Sequence, residues 1–254
     1  MKGGLPDGLR RRFDPAQRYG LRLTLLAAAV LVVAVPFGVL LDQVVRDGPL
    51  VDVDTVAANH LHGLVRHSPV AVDVFQVVSF LGKPVWFYAM CIPVGVVLLL
   101  RRRVHLTAYL WATAGLAGVI DTAVKVAVDR DRPSIEEPVA TAFGQSFPSG
   151  HAMSSTVVYG ALLLIFLPVV PRARRPVAVV ATVVLVLAIG FTRLALGVHY
   201  ISDVLGGFAL GLAWLLASTA AFEIWREERG LRRTAPFEEG VEPEAERDLH
   251  AMPE

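Results

Sequence analysis

The chain has 254 residues, 54% of them hydrophobic, and a mean hydropathy of +0.55, well above the usage of soluble domains. A net charge of +1 gives no electrostatic footprint for nucleic acid, and a single cysteine, Cys91, excludes a disulfide framework or a thiolate metal site. Since a helical span needs about 20 apolar residues, the length suits a multi-pass membrane protein.

Residues 1–20 are polar and basic (Arg10, Arg11, Arg12, Arg18) and read as a segment that is disordered or rests on the membrane surface. Leu21 to Leu41 forms a first span. It is longer than the apolar region of a secretory signal and no small-x-small cleavage site follows, so it reads as a retained anchor. Pro36 within it is of a kind that membrane helices accommodate. Asp42 to about Val72 is a mixed, charged loop in which Val51–Val65 has rough helical periodicity, as a short surface helix would. His60, His62 and His67 lie there, but His60 and His62 point to opposite sides of a helix, so a solvated loop accounts for them better than a metal site.

A second span runs from Pro84, or somewhat before it, to Leu100, with Trp86 and Tyr88 at interface depth, and Arg101–Arg103 stop it. The third covers Leu106–Val128 and carries Asp121 and Lys125. The fourth runs from Ser149 to about Val170, the fifth from Val177 to Leu194 and the sixth from Tyr200 to Phe222. The sequence thus predicts an all-α bundle of six transmembrane helices over 21–222. Residues 223–254 are charged, contain three prolines and lack an apolar face, which predicts a largely disordered tail. The basic N-terminus, Arg101–Arg103, the cluster at Arg172–Arg175 and the arginines after Phe222 all fall on one side of a six-span chain. The positive-inside rule makes that side cytoplasmic, with both termini inside.

Three polar patches then lie at the opposite, extracytoplasmic ends of apolar runs: Lys125 to Pro133, Pro148-Ser-Gly-His151, and Thr192-Arg193 through His199 to Asp203. Singly, each has an ordinary reading: a lysine that snorkels, an arginine that meets head groups, a helix cap. Together they do not, because an ionisable group inside a span costs about 2.5–3.5 kcal/mol and tends to serve function. Lys125 and Arg132 are seven apart, two helical turns, so they are expected on one face before Pro133 ends the helix. His199 and Asp203 are four apart and are also expected to share a face, the carboxylate fixing the imidazole tautomer. Ser149 is a candidate N-cap, and Gly150 leaves room for an anion at the helix N-terminus. Three cations, two imidazoles, a carboxylate and a Ser-Gly turn are equipment for holding and cleaving a phosphate ester.

These patches resemble the signature of the type 2 phosphatidic acid phosphatases, which share a superfamily with vanadium haloperoxidases and bacterial acid phosphatases: Lys-x6-Arg-Pro, Pro-Ser-Gly-His and Ser-Arg-x5-His-x3-Asp. Lys125, Arg132 and Pro133 match the first, Pro148, Ser149, Gly150 and His151 the second, and Arg193, His199 and Asp203 the third. Thr192 stands where the family usually has Ser and keeps the hydroxyl. The resemblance implies a membrane lipid phosphatase with a helical-bundle core. In it His199 attacks phosphorus, Asp203 holds its ring, and His151 protonates the leaving group and then activates water. Lys125, Arg132, Arg193, Ser149 and Gly150 would bind the phosphoryl oxygens. Phosphoryl transfer needs positioning and charge stabilisation, so three fixed cations can replace a metal and no cofactor is expected. Asp129, Asp131, Glu136 and Glu137 are then read as charge-balancing residues or entrance residues rather than metal ligands, and Asp121 as the intrahelical partner of Lys125.

The implied partners are the bilayer and a lipid phosphate of the phosphatidic acid, phosphatidylglycerophosphate, diacylglycerol pyrophosphate or polyprenyl diphosphate type. Phe143, Phe147 and Tyr200 are candidates to meet its apolar tail. Ala-, Val- and Arg-rich usage fits a GC-rich bacterium and a role in its cell envelope, at the plasma membrane. Two other readings use the same residues: a phosphotransferase with an alcohol acceptor, and a non-catalytic lipid-phosphate binder or transporter. A transporter is expected to show internal repeats, which this sequence lacks.

Overall fold

The computed structural model describes residues 20–135, 139–232, 234–246 and 249, with side chains in the first helix described at Leu31, Val33 and from Val35 onward. The basic segment 1–19 lies outside the described residues. Helices α1 (Gly20–Val45), α2 (Pro49–Val65), α3 (Pro69–Phe80), α4 (Pro84–Leu100) and α5 (Val104–Val128) are followed by a long loop. Then come α6 (Gly150–Phe166), α7 (Arg175–Ala195), α8 (Ile201–Glu228) and the short α9 (Pro236–Glu239). No strand occurs among the described residues.

Five segments among the described residues are long and apolar enough to cross a bilayer: Pro69–Leu100, Val104–Val128, Gly150–Val169, Arg172–Ala195 and Ile201–Glu228. The first is longer than the expected second span and is made of two helices, α3 and α4, broken at Leu81–Lys83. Pro84 explains the break, because it lacks an N–H and opens α4 in the first turn, where none is needed.

Helix α6 is the centre of the bundle and packs on α5, α7 and, most extensively, α8. Ala152, Met153, Val157, Ala161, Leu164 and Ile165 are all at most 1% exposed and no residue of the helix is fully exposed, so it is covered by protein rather than lipid. Between α6 and α8 the backbones touch. A Cβ on Gly207 would lie 2.5 Å from the Ser149 carbonyl oxygen, and one on Gly211 would lie 2.8 Å from that of Met153. This Gly-x-x-x-Gly spacing is the small-residue solution for packing membrane helices, where apolar burial gives little drive and close van der Waals contact must supply it. Outward-facing Val177, Val180, Val184 and Leu100 are exposed, as befits a lipid-facing surface.

The charged stretch after Phe222 departs from the disorder expected of it. Helix α8 continues to Glu228, and the following chain folds back on the bundle end. Val241 and Ala245 are fully buried, and the Val241 N–H donates to the Leu164 carbonyl at 3.1 Å. Arg226, 1% exposed, pairs with Glu244 at 3.0 Å, Arg103 with Glu242 at 2.5 Å, and Arg175 donates to the Glu238 carbonyl at 2.6 Å. The composition looked disordered because the partners of its charges are distant in sequence: Arg226 and Arg232 pair with Glu244 and Glu239 across turns of the same stretch, while Arg103 and Arg175 reach it from before α5 and the start of α7. These arginine clusters gather at one end of the bundle. The three motif patches gather at the other.

Replacing Gly211 with alanine should lower unfolding stability in detergent by about 1–3 kcal/mol, the usual cost of forcing a side chain into packed backbone. Gly115→Ala, where a Cβ meets nothing within 4 Å, should be neutral or slightly stabilising. Thermal melts of the purified variants test the pair.

Candidate active site

Helix α5 ends at Val128 because Asp129 adopts a left-handed conformation (φ 51°), which Asp tolerates better than most residues. Arg132 therefore does not lie on the same helical face as Lys125, contrary to expectation; the turn at Asp129 carries it into the following loop. There its guanidinium donates to the carbonyls of Gly144 (2.8 Å), Val198 (2.8 Å), Gln145 (3.1 Å) and Phe143 (3.2 Å). Lys125 remains on α5. Its ammonium bonds Asp121 at 2.7 Å, the intrahelical pair expected, and the Pro148 carbonyl at 2.5 Å. A Cβ on Gly150 would lie 2.9 Å from the Asp121 carboxylate, so this glycine makes room for the Asp121–Lys125 pair.

His199 also sits off the helix, two residues before α8 begins at Ile201, with Tyr200 as N-cap. The contact expected from helical spacing nevertheless forms: His199 Nδ1 lies 3.2 Å from Asp203 Oδ2. On the other side of the ring, Arg132 Nη1 is 3.2 Å from Nε2. A guanidinium can only donate, so Nε2 is the unprotonated nitrogen and the proton on Nδ1 points to Asp203. His199 is 2% exposed, and burial pushes its imidazole down to about 4 despite the neighbouring carboxylate. The imidazole is thus neutral and oriented, with its Nε2 lone pair turned to the cavity side, where Arg132 meets it.

Arg193, near the end of α7, is buried and donates to Ser79 Oγ at 2.6 Å. Thr192 turns its hydroxyl back onto the Ile189 carbonyl of its own helix at 2.6 Å. Thr192 is buried and does not line the cavity, so its hydroxyl serves its own helix rather than the site. Ser149 occupies the N-cap position of α6, but its side chain makes no capping bond. Its N–H instead donates to the Asp203 carbonyl at 2.9 Å. Ser149 Oγ and His151 Nε2 are both buried without a hydrogen-bond partner, the condition of groups that meet a substrate.

Lys125, Arg132, Gly150, His151, Arg193 and His199 line one cavity of about 1910 Å³, larger than most small-molecule sites. Asp203 and Ser149 lie behind it. The cavity continues between α4 and α5 along Phe87, Ile92, Trp111, Ala114, Gly118 and Val119, an apolar cleft below a cationic mouth. Of the aromatic residues expected near a lipid tail, Phe143 lines the cavity. Phe147 is fully buried and stacks on Phe37 at 5.8 Å, and Tyr200 lies under the Arg130 guanidinium at 4.2 Å. Both are scaffold. Asp129 accepts from Gln145 at 3.1 Å, whereas Glu136 and Glu137 lie outside the described residues. Among the described residues no three His, Cys, Asp or Glu side chains are grouped as a metal site requires. In α2, His62 is buried and His60 exposed, on opposite sides as expected.

The sequence reading missed Ser79, Lys83, Asp54 and Arg130. Lys83 lines the cavity at the α3–α4 break, beside Gly82, where a Cβ would come within 2.8 Å of the His151 ring. Asp54 and Ser79 come from stretches without a motif. Arg130 was hidden among the alternating charges at 129–132.

The fold and this cluster define a multi-pass helical membrane protein with a cation-lined, histidine-bearing site at one end of the bundle. Residues 105–227 match the PAP2 superfamily, and the chain belongs to that family, the type 2 phosphatidic acid phosphatases. It is 30% identical over 143 residues to phosphatidylglycerophosphatase B of Bacillus subtilis, covering 55% of this chain and 70% of that protein. Lipid A 1-phosphatase of Rhizobium etli is 34% identical over 44% of this chain and 48% of its own length. Decaprenylphosphoryl-5-phosphoribose phosphatase of Mycobacterium tuberculosis is 36% identical over 46% of this chain and 61% of its own. The crystal structure of a transmembrane PAP2-type phosphatidylglycerolphosphate phosphatase from Bacillus subtilis superposes with a TM-score of 0.71 at 21% identity, covering 81% of this chain and 98% of that one.

A native imidazole depressed to about 4 stays neutral through neutrality, so the acid limb of kcat/KM assigned to His199 should fall well below the ordinary pKa of 6.5. Stability should decline over the same window. As pH drops from about 6.5 to about 4, the unfolded chain gains a proton that the native His199 refuses. A pH–rate profile and melts at matched pH values check both.

Proposed function

We propose that this protein is a membrane lipid phosphatase that hydrolyses a phosphomonoester or diphosphate carried on a lipid, through a phosphohistidine at His199. The observation that carries the reading is the pairing of His199 with Asp203 on one ring nitrogen while the other faces the guanidinium of Arg132. A binding protein could use the cations alone; it would have no need of an imidazole aligned by a buried carboxylate.

In the first step His199 Nε2 attacks phosphorus, the P–N bond forms, and the bond to the leaving oxygen breaks. His151 supplies the proton to that oxygen, and Asp203 stabilises the charge gained by the His199 ring. In the second step His151, now neutral, takes a proton from water as the oxygen of that water attacks phosphorus and the P–N bond breaks, releasing phosphate. Lys125, Arg132 and Arg193, with Ser149 Oγ and the first N–H groups of α6, meet the phosphoryl oxygens. Preorganised charge of this kind supplies most of the acceleration in phosphoryl transfer. No step in this scheme requires a metal.

The apolar cleft between α4 and α5 supports a lipid substrate. From Lys125 to Trp111 is fourteen residues of helix, about 21 Å at 1.5 Å per residue, a depth suited to an acyl or prenyl chain. The relatives' names span a phosphatidylglycerophosphatase, a lipid A 1-phosphatase and a decaprenylphosphoryl-phosphoribose phosphatase, so the shared chemistry is a phosphate ester on a lipid anchor. Six spans, with α1 as the first, place both termini with the arginine clusters on the cytoplasmic side of the plasma membrane and the site on the outer side.

Phosphate release in detergent with EDTA present, across phosphatidic acid, phosphatidylglycerophosphate and polyprenyl diphosphate, should find at least one substrate. His199→Ala should lose at least about 10³-fold in rate, as removal of a covalent nucleophile does. Retention of most of the rate by His199→Ala would sink the covalent mechanism, and an EDTA loss restored by Mg²⁺ would sink the metal-free one. A reporter fused after Phe147 that reads as cytoplasmic would overturn the orientation.

A further inference from the structure

Asp54 and Arg130 do not line the cavity, yet they join the buried end of the site. Asp54, on α2, has no exposed surface. Its Oδ1 accepts from the Ser202 N–H at 3.0 Å, and its Oδ2 accepts from the Ser202 hydroxyl and from Arg130 Nη2 at 2.9 Å. Arg130 Nη1 in turn donates to Ser202 Oγ at 2.7 Å and to Asp203 Oδ1 at 2.6 Å. The guanidinium carbon sits over the Tyr200 ring, 4.2 Å from its centre. Asp203 Oδ2 is left for the Tyr200 N–H, at 2.9 Å, and for His199 Nδ1, at 3.2 Å.

We propose that Asp54 and Arg130 are positioning residues for the reaction: a buried carboxylate–guanidinium pair that fixes the plane and the charge of Asp203 and thereby aims the His199 ring. This inference rests on His199 being the nucleophile.

A buried ion pair by itself is weak evidence of a stabilising role, since desolvation offsets much of its attraction. The geometry goes further than stability requires. A carboxylate held through one oxygen can turn about its Cβ–Cγ bond. With Arg130 on Oδ1, and the Tyr200 N–H and the imidazole on Oδ2, Asp203 has one orientation only. Arg130 also offsets part of the negative charge that Asp203 presents to His199, and Asp54 offsets part of Arg130. Arg132, Arg193 and His151 face His199 from the other elements packed around it, and Lys125 acts on Asp203 from α5. The two ends of the relay therefore push the imidazole in opposite directions. Helix α2, which carries no motif, acquires a purpose: it brings a carboxylate to the N-terminus of α8 and holds the arginine that holds the site.

The test uses the full chain in detergent micelles, with phosphate release from phosphatidic acid, or from a polyprenyl diphosphate if that is turned over faster. Asp54→Asn and Arg130→Gln should each lower kcat by about 10- to 100-fold, as small displacements of a reacting group do, with KM changed less than about 3-fold. The acid limb of kcat/KM should move up in Arg130→Gln and down in Asp54→Asn, a split that a merely structural role would not produce. Arg130→Lys keeps the charge without the planar fork, and should hold the limb nearer its original position while still losing kcat. The double variant Asp54→Asn with Arg130→Gln leaves neither charge unpaired, covers the case in which a single variant fails to fold, and should lose no more activity than Arg130→Gln alone.

Unchanged kcat and an unmoved limb in Asp54→Asn or in the double variant would overturn the proposal. A loss of kcat with no movement of the limb in either single variant would overturn it too, leaving a structural role. His199→Ala is measured beside them. If it retains activity, the nucleophile reading falls; if it is inactive while Asp54→Asn behaves as the unmodified enzyme, the relay alone falls.

Discussion

The carboxylate of Asp203 is an anion with no exposed surface, and the arrangement at this end of the bundle follows from keeping it satisfied. Its two side-chain oxygens take the His199 ring, the Tyr200 N–H and Arg130, while its backbone carbonyl takes the N–H of Ser149. Those partners come from the loop before α8, from the loop after α5 and from the start of α6. A buried charge deprived of its partner typically costs about 3–5 kcal/mol, so these pieces cannot drift apart independently. Two positive helix N-terminal regions meet here as well, and Asp54 and Asp203 place negative charge at the one belonging to α8.

The rest of the molecule makes this polar end tolerable in a bilayer. Cations at the ends of spans would be expensive if they faced hydrocarbon. Here Arg132 is wrapped by loop carbonyls, Arg193 is buried against Ser79, and Lys125 sits between Asp121 and the Pro148 carbonyl. Each cation is thus solvated by the protein in advance, and under the proposed function a phosphoryl group would meet donors that need little reorganisation. At the far end the same economy applies without a cavity lined by catalytic groups, as the returning chain lays Glu242 and Glu244 against Arg103 and Arg226.

Much of this could be read from the sequence because it is written in local patterns. Apolar runs bounded by arginines marked the four apolar segments from Val104 to Glu228, short by up to six residues at the start of Arg172–Ala195 and the end of Ile201–Glu228, but not the join of α3 and α4 across Leu81–Lys83. The spacing from His199 to Asp203 gave their contact even though His199 lies outside the helix. What the sequence hid depends on distant pairing or on a single backbone angle. The left-handed Asp129 moves Arg132 off the helix face, and nothing in Asp-Arg-Asp-Arg distinguishes the arginine that meets the cavity from the one that supports Asp203. Asp54 lies 148 residues from Ser202, its bonding partner. The tail looked disordered because its charges are matched only once it has folded back, Arg226 to Glu244 and Arg232 to Glu239 within it and Glu242 to Arg103 beyond it.

The glycine seam between α6 and α8 ties two quantities that are usually adjusted apart. One helix begins with Ser149 and His151, the other with His199 just before its first turn and Asp203 within it, and the backbones meet at Gly207 and Gly211 with only the Cβ atoms of Ala152 and Thr156 beside them. The spacing of the two helix starts is therefore held by close backbone approach rather than by interchangeable packing. A laboratory selection for a tougher bundle and one for a faster enzyme would act on the same spacing. At this seam neither could drift without carrying the other along.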